Sequence, residues 1–247
     1  MKNSQKEYSI NWNNSANYLY NNDSYDWMCS QIKDYKFILE IGCGTGQSTL
    51  ALLENGHKVI VIEKNQFCID KAKQLLKEKG YLICDNDTVN NSEYDVIILN
   101  MDLFDNILYK KLENINFDIV ICWNIGSYWD EAMFSYYLPE MINYGLNINQ
   151  IKSNPESSYA ELIQWKCSQI AKDKNVPVHF IDRNIFPISK KEDSYYIGLK
   201  REFSFSKVEY DNLKTKTISN NGCKMVVSGI VSNEDIIDVF FISVLIK

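Results

Sequence analysis

Three glycines at alternate positions follow a short apolar run in the first fifth of the chain. The run covers residues 37–41, and Gly42, Gly44 and Gly46 come directly after it. A short apolar run of this kind is typical of a buried parallel strand. Glycines at its end let the backbone turn sharply and bring the main-chain amides of a following helix close to a ligand. The sequence therefore predicts a strand, a ligand-binding turn and a helix, the last over residues 47–53.

A second predicted strand ends on an acidic residue. It covers residues 58–62, and Glu63 follows it, seventeen positions after Gly46. A carboxylate at this point can accept hydrogen bonds from both hydroxyls of a ribose. Another acidic residue, Glu40, lies within the first strand. The dinucleotide-binding pattern Gly-x-Gly-x-x-Gly fails because position 47 is Gln, which disfavours an NAD enzyme.

The segment from residue 37 to 63 resembles the first motif of the Rossmann-like, class I S-adenosylmethionine-dependent methyltransferases, whose pattern is Glu/Asp-x-Gly-x-Gly-x-Gly. In that family the glycine loop lies beside the methionine part of the cofactor, and the acid that ends the second strand binds the ribose. The resemblance implies S-adenosylmethionine as the cofactor. The residues it implies are Glu40, Gly42, Cys43, Gly44 and Gly46 at the loop, and Glu63 with its neighbour Lys64 at the ribose.

The family also has an acidic residue after the third strand, which contacts the adenine amine, and this chain offers two candidates. In the first arrangement residues 96–103 contain the third strand, and Asp102, with Leu103 beside it, faces adenine. The second arrangement uses residues 81–85 as the third strand and assigns adenine to Asp85. We favour the first, because the helical stripe after Asp102 is then an ordinary crossover between parallel strands.

The fourth predicted strand, residues 117–122, ends in an aromatic segment. Trp123 follows it at the carboxyl edge of the sheet, where open α/β sheets bind ligands, and we count it among the cofactor-lining residues. Trp123, Tyr128 and Trp129 could form the wall of a substrate pocket, or they could simply pack against the rest of the fold. The Asn/Asp-Pro-Pro-Tyr sequence of the DNA and protein-glutamine amino-methyltransferases is absent, since residues 124–126 read Asn-Ile-Gly.

No dedicated catalytic residue is predicted, because methyl transfer from a sulfonium can draw most of its rate from positioning and desolvation. If the acceptor is a hydroxyl or an acidic carbon, Tyr128, Asp130, Glu131 and His179 are candidate bases, with none preferred. No metal site is expected. The seven cysteines contain no Cys-x-x-Cys pair, and the two histidines, His57 and His179, lie far apart.

The whole pattern predicts an α/β fold, a three-layer Rossmann-like sheet of about seven strands that is mostly parallel with an antiparallel C-terminal edge. Residues 1–35, which include Trp12 and several tyrosines, are expected to form a helical extension or lid. Residues 36–247 are expected to form one methyltransferase domain. Further helices are predicted at residues 130–144 and 156–172, and further strands at residues 176–181, 195–205, 224–231 and 238–246.

Charge and hydropathy narrow the expected partners and location. The chain has 32 acidic and 26 basic residues, a net charge of -6, and no Lys/Arg cluster longer than a dipeptide, which argues against nucleic acid. The polar start and the short apolar run at residues 239–246 favour a cytoplasmic chain without a membrane partner. We expect a methyltransferase that acts on a small molecule. A protein or RNA acceptor and a non-catalytic scaffold stay open, and the sequence does not indicate an oligomeric state.

Overall fold

The fold is given by a computed structural model, which describes residues 5–84, 94–125, 129, 131–218, 226–227, 230–231 and 235–247. The first half contains α1 (Gln5–Asn21), α2 (Ser24–Ser30), β1 (Phe37–Ile41), α3 (Gln47–Glu54), β2 (Lys58–Glu63), α4 (Gln66–Glu78), β3 (Ile83–Cys84), β4 (Val96–Asn100), α5 (Leu108–Leu112) and β5 (Ile119–Trp123). The second half contains α6 (Glu131–Tyr144), α7 (Ile148–Ser153), α8 (Pro155–Lys174), β6 (Val178–Asn184), α9 (Tyr195–Glu202), β7 (Val208–Ile218), β8 (Val226–Val227), β9 (Ile230–Val231) and β10 (Ile236–Ile246).

One eight-stranded sheet organises the molecule, in the order β3-β4-β2-β1-β5-β6-β10-β7. The strands from β3 to β6 are parallel, and β10 runs antiparallel to both β6 and β7. In the middle, Leu39 of β1 is in register with Ile60 of β2 and Val120 of β5, and all three side chains are buried. The predicted α/β class, with a mostly parallel sheet and an antiparallel C-terminal edge, is confirmed.

The strand beside β2 is β4, as the first of the two arrangements predicted. Residues 96–100 of β4 pair with residues 59–63 of β2, and the two-residue β3 pairs with the other edge of β4. Asp102 therefore follows the third strand position of the sheet. Asp85 lies outside the described residues.

The helix in the crossover after Asp102 is shorter than the predicted one. The carboxylate of Asp102 accepts a hydrogen bond from the Phe104 N–H at 2.9 Å, and that of Asp105 accepts one from the Ile107 N–H at 3.0 Å. These side-chain turns compete with helix geometry in the first part of the stripe. Only α5 is helical there.

The prediction of a strand at residues 195–205 was wrong, since α9 covers most of this segment. The Asp193 carboxylate accepts hydrogen bonds from the main-chain N–H groups of Tyr196, at 3.0 Å, and Ile197, at 3.2 Å. These contacts satisfy donors that a helix start leaves unpaired, which stabilises a helix here. The outer edge strand is β7, which the sequence analysis missed. β8 and β9 form a separate two-stranded sheet within the segment predicted as one strand.

The N-terminal helices pack into the same core as the sheet. Leu19 of α1 and Met28 of α2 are fully buried in one apolar cluster with Ile38 of β1 and Leu50 of α3. The predicted helical extension is therefore attached by apolar contacts. Its boundary at residues 35 and 36 stays a prediction. Among the described residues, no helix combines the length and the apolar character that crossing a bilayer requires.

Gly46 provides a test of how tightly α3 and α4 pack. It has a φ of 94°, and a Cβ at this position would lie 2.8 Å from both Cα and Cβ of Ala72 in α4. Gly80 has a similar φ of 84°, but a Cβ there would meet nothing within 4 Å. We predict that Gly46→Ala lowers the free energy of unfolding by about 1 to 3 kcal/mol more than Gly80→Ala, because only the first adds overpacking to backbone strain. Urea denaturation measures both, and equal losses would contradict the close packing.

Candidate active site

One cavity collects residues from the carboxyl ends of four neighbouring parallel strands, β1, β2, β4 and β5. Open α/β sheets bind their ligands at this edge. Seven of the predicted cofactor residues line it: Gly42, Gly44, Glu63, Lys64, Asp102, Leu103 and Trp123. Tyr8, Trp12, Ile41, Ile62, Asn65, Met101, Asn124, Ile125, Tyr159 and Ile163 complete the lining. The sheet thus brings most of the predicted site together, whereas Glu40, Cys43 and Gly46 are not part of the cavity lining.

Glu40 lies beneath the glycine turn and is 1% exposed. Its carboxylate accepts hydrogen bonds from the hydroxyls of Ser48 and Thr49, the latter at 2.6 Å. Both donors are in the first turn of α3, so Glu40 ties β1 to the start of that helix. Burial raises the pKa of Glu40 to about 7, against the hydrogen bonds from Ser48 and Thr49, which lower it. Glu40 therefore acts on the turn from below and does not reach the cavity.

Glu63 joins the glycine turn to the start of α4. One carboxylate oxygen accepts a hydrogen bond from the Gly44 N–H at 3.1 Å, and the other accepts one from the Asn65 N–H at 2.8 Å. Burial raises the pKa of Glu63, while these hydrogen bonds lower it. The carboxylate lies in the cavity wall, where a ribose could reach it. Its ribose-binding role stays a prediction.

Asp102 is held by a cluster that spans the two halves of the chain. The Tyr137 hydroxyl donates to Asp102, and the Lys64 ammonium lies 3.9 Å from the same carboxylate oxygen. Lys64 also donates to the hydroxyls of Tyr137 and Tyr159, each at 2.8 Å, and lies 4.6 Å from the centre of each ring. The predicted adenine-binding carboxylate is therefore fixed at the cavity by α6 and α8.

Sequence reasoning missed both of these tyrosines. Tyr137 and Tyr159 are 73 and 95 positions away from Lys64, inside helical patterns that read as ordinary core stripes. Burial raises the pKa of Tyr137, and the nearby Asp102 carboxylate adds to the shift. The hydroxyl therefore stays protonated and keeps its proton for the bond to Asp102.

Helix α1 covers the cavity with two aromatic side chains, Tyr8 and Trp12. The Trp12 indole lies so close to the glycine turn that a Cβ on Gly44 would be 2.1 Å from its Nε1 atom. The cavity beneath measures about 90 Å³, whereas ligand pockets typically measure about 300 to 1,000 Å³. A ligand of cofactor size therefore requires α1 or the Trp12 indole to shift outward.

Hydrogen bonds from Gln47, the first residue of α3, hold α1 in this position. The Gln47 side-chain amide, which is 3% exposed, donates to the side-chain oxygens of Asn13 at 3.0 Å and Asn17 at 2.8 Å. Thr45 donates to the Gln47 side-chain oxygen at 2.7 Å. Position 47, which rules out the dinucleotide pattern, thus connects α1 to the glycine turn.

The two candidate bases that the structure describes, Glu131 and His179, do not line the cavity. His179 is fully buried, accepts a hydrogen bond from Trp123 Nε1 at 2.9 Å and pairs with Ser243 at 2.8 Å. Burial lowers its pKa to about 3, so His179 stays neutral and orients Trp123. Glu131 is exposed at the start of α6. Tyr128 and Asp130 lie outside the described residues.

Trp129, the remaining predicted pocket residue, packs against other aromatic rings. Its ring centre lies 5.7 Å from that of Tyr159 and 6.5 Å from that of Phe134. It is not part of the cavity lining. Trp129 therefore supports the wall behind Tyr159.

The residues of the cavity fit S-adenosylmethionine. The left-handed glycine turn presents no side chain of its own to the ligand, and Ile41, Ile62 and Met101 provide apolar surface. Two carboxylates, on Glu63 and Asp102, can accept hydrogen bonds from hydroxyl and amine groups. The two acceptors and the apolar surface therefore match a ligand that combines a sugar, a purine and an apolar linker.

Residues 38–143 match the family model described as a methyltransferase domain. The chain carries a class I, S-adenosylmethionine-dependent methyltransferase domain. S-adenosylmethionine is the cofactor of this family, as the glycine motif predicted.

Two curated relatives share part of the methyltransferase sequence. The probable ribosomal RNA small subunit methyltransferase A of Methanosphaera stadtmanae is 38% identical over 73 residues, which are 28% of this chain and 27% of that protein. The ribosomal RNA small subunit methyltransferase A of Mycoplasmopsis pulmonis is 23% identical over 192 residues, 74% of this chain and 71% of that protein. The matched part of the chain thus spans little more than a quarter of the length of the first relative.

A solved structure is similar in fold alone. It was determined for work on the conversion of a disulfide bond into a thioacetal group during echinomycin biosynthesis, and it superposes with a TM-score of 0.50 at 12% identity. The similarity covers 90% of this chain and 80% of that one. The fold around the methyltransferase domain is therefore shared beyond residues 38–143.

The buried Glu40 carboxylate predicts a pH dependence of stability. Its pKa rises from 4.5 to about 7 on folding, so between these values the native state holds a proton that the unfolded chain has released. The free energy of unfolding consequently falls as pH rises through this window, by about 3 kcal/mol in total from Glu40. Glu40→Gln lacks the titrating group and should lose this part of the slope.

Urea denaturation from pH 5 to 8 measures the difference. The exposed Glu113→Gln variant is the matched control, and its stability should run parallel to that of the wild type. Parallel curves for Glu40→Gln and the wild type would contradict the raised pKa.

Proposed function

We propose that this protein transfers a methyl group from S-adenosylmethionine to a small-molecule acceptor. The observation that carries the proposal is the cavity at the carboxyl ends of β1, β2, β4 and β5, which is lined by Gly42 and Gly44 of the family motif and by Glu63, and is covered by Trp12. A site closed by an N-terminal helix favours an acceptor that can enter a narrow space. The net charge of -6 also favours a small molecule over nucleic acid.

The proposed cofactor contacts follow the lining of the cavity. Gly42 and Gly44 would let the methionine part approach the main chain, Glu63 would accept hydrogen bonds from the ribose hydroxyls, and Asp102 would accept one from the adenine amine. Leu103 and Trp123 would provide apolar surface beside these groups. Lys64 would act through Asp102, since the two side chains form an ion pair.

When bound, S-adenosylmethionine supplies a methyl group on a positively charged sulfur. The acceptor atom would supply the electron pair for the new bond to carbon, the sulfur would keep the electrons of the bond that breaks, and any proton that the acceptor loses would pass to water. The protein's contribution is to hold the acceptor in line with that bond and to exclude competing water. Residues 1–35 would act as the lid, with Trp12 shifting away from the glycine turn to admit the cofactor.

The cofactor assignment is tested by a single isosteric change. Glu63→Gln replaces one carboxylate oxygen by an amide and keeps the size of the side chain, so we predict that affinity for S-adenosylhomocysteine falls by about 1 to 3 kcal/mol. Isothermal titration calorimetry measures the affinity, and Glu113→Gln, an exposed glutamate far along the chain, is the control. Unchanged affinity in a folded Glu63→Gln protein would refute the ribose contact.

The acceptor class is tested by labelling. RNA is the second candidate, because both curated relatives are named ribosomal RNA methyltransferases. We predict that methyl-labelled S-adenosylmethionine, incubated with the protein and a fractionated cell extract, labels the small-molecule fraction. Label confined to RNA or protein would overturn the small-molecule acceptor. Cofactor binding without any labelled fraction would favour a non-catalytic scaffold.

A further inference from the structure

Helix α1 places one side chain in the space that the proposed cofactor needs. The Trp12 indole lies directly over the glycine turn, where a Cβ added to Gly44 would overlap two atoms of the ring, Nε1 and Cδ1. The proposed function puts the methionine part of the cofactor beside the same turn. The indole and the methionine part would therefore compete for one space, and only one of them fits at a time.

Contacts with two other residues hold the indole in this space. Its ring stacks on that of Tyr8, one helical turn earlier in α1, with the ring centres 6.4 Å apart and the planes 11° from parallel. The guanidinium of Arg183, in β6, lies 6.0 Å from the centre of the indole ring, within the range of a cation–π interaction. The indole is thus a packed part of the cavity roof.

The two ends of α1 are attached in different ways. At the C-terminal end, Ala16 and Leu19 are buried, and Leu19 packs in the apolar cluster that contains residues of α2, α3 and β1. Towards the N-terminus, Ser9 is the only buried residue at positions 5–15, all of which the structure describes. Apolar burial provides most of the energy that holds a helix on a protein, so the N-terminal part detaches more easily.

Hydrogen bonds to two neighbouring helices keep the N-terminal part over the cavity. The Gln47 side-chain amide, at the start of α3, donates to the side-chain oxygen of Asn13 at 3.0 Å. The Asn65 side-chain amide, at the start of α4, donates to the Gln5 carbonyl at 3.1 Å. A hydrogen bond of this kind shifts a conformational equilibrium by about two- to tenfold. Both bonds would break if this part of α1 moved outward.

We propose that the first three turns of α1, residues 5–15, form an autoinhibitory gate on the cofactor cavity. In the closed position the Trp12 indole occupies the place of the methionine part. In the open position these turns pivot about the buried Ala16 and Leu19 and withdraw the indole. Only the open fraction of the protein binds the cofactor, so the gate lowers the apparent affinity in proportion to that fraction. The inference rests on the proposed function, because it assigns a regulation to the cofactor site of that reaction.

Removing the indole is the first test. Trp12→Ala clears the glycine turn without any movement of α1, so we expect S-adenosylhomocysteine to bind about tenfold more tightly, with the gain in the association rate constant. Isothermal titration calorimetry measures the affinity. Stopped-flow tryptophan fluorescence, to which Trp123 in the cavity lining contributes, measures the rate constants.

The control makes the same change in the neighbouring helix. Trp27 lies in α2, outside the cavity lining, and Trp27→Ala should bind S-adenosylhomocysteine like the wild type. A Trp12 that served only to cover a bound cofactor would give the opposite result in Trp12→Ala, weaker binding through faster dissociation. That result, or an affinity equal to that of the wild type, would overturn the inference.

A second pair of variants tests the gate with the indole still in place. Asn13→Ala removes the acceptor of the Gln47 hydrogen bond, so we expect S-adenosylhomocysteine to bind about two- to tenfold more tightly. Asn14→Ala makes the same change at the next position of α1, which is exposed, and should leave the affinity unchanged. Equal affinities of the two variants would overturn a gate that this bond helps to close.

The same titrations distinguish failure of the gate from failure of the proposed function. Binding of S-adenosylhomocysteine to the wild type, with no gain in Trp12→Ala or Asn13→Ala, would overturn only the gate. No binding to any of the folded proteins, Trp12→Ala included, would overturn the proposed function and the gate with it.

Discussion

Two buried carboxylates, on Glu40 and Glu63, hold the glycine turn on which the site depends. Glu40 binds the first turn of α3 from below, and Glu63 binds the main chain of the turn and the start of α4 from the side. Burial raises the pKa of both groups, and the charge of Glu63 raises that of Glu40 further. A cationic sulfonium bound in the cavity, whose wall contains Glu63, would offset part of this cost, since opposite charges interact strongly where water is excluded. The same arrangement that costs stability in the free protein would therefore favour a positively charged cofactor.

Local patterns were enough to predict seven of the residues that line the cavity at the carboxyl ends of β1, β2, β4 and β5. The glycines and Glu63 follow continuous apolar strands, and parallel strands bring their carboxyl ends to one edge, so Asp102 could be placed with them before the fold was known. The contacts of Tyr137 and Tyr159 with Lys64 could not be predicted, because they join residues 73 and 95 positions apart through helix packing. Helix α9 was not predicted because the hydrogen bonds from its first turn to Asp193 stabilise its start, and a hydropathy pattern does not reveal such contacts.

The N-terminal helix gives the site its closed character. The sequence predicted a helical extension or lid over residues 1–35, but only the fold puts Trp12 against Gly44 and connects α1 to the turn through Gln47. The Trp12 ring also lies 6.0 Å from the guanidinium of Arg183 in β6, so α1 is positioned by contacts with the sheet as well as with the turn.

The most direct test of the cofactor site is amide hydrogen exchange with and without S-adenosylhomocysteine. Binding in the cavity should slow exchange at the glycine turn and at the ends of β2 and β4, and it should change exchange along α1, which has to shift to admit the ligand. The antiparallel edge formed by β7 and β10 should be unchanged. Protection confined to that edge or to other surfaces, with no change at the turn or in α1, would contradict the account.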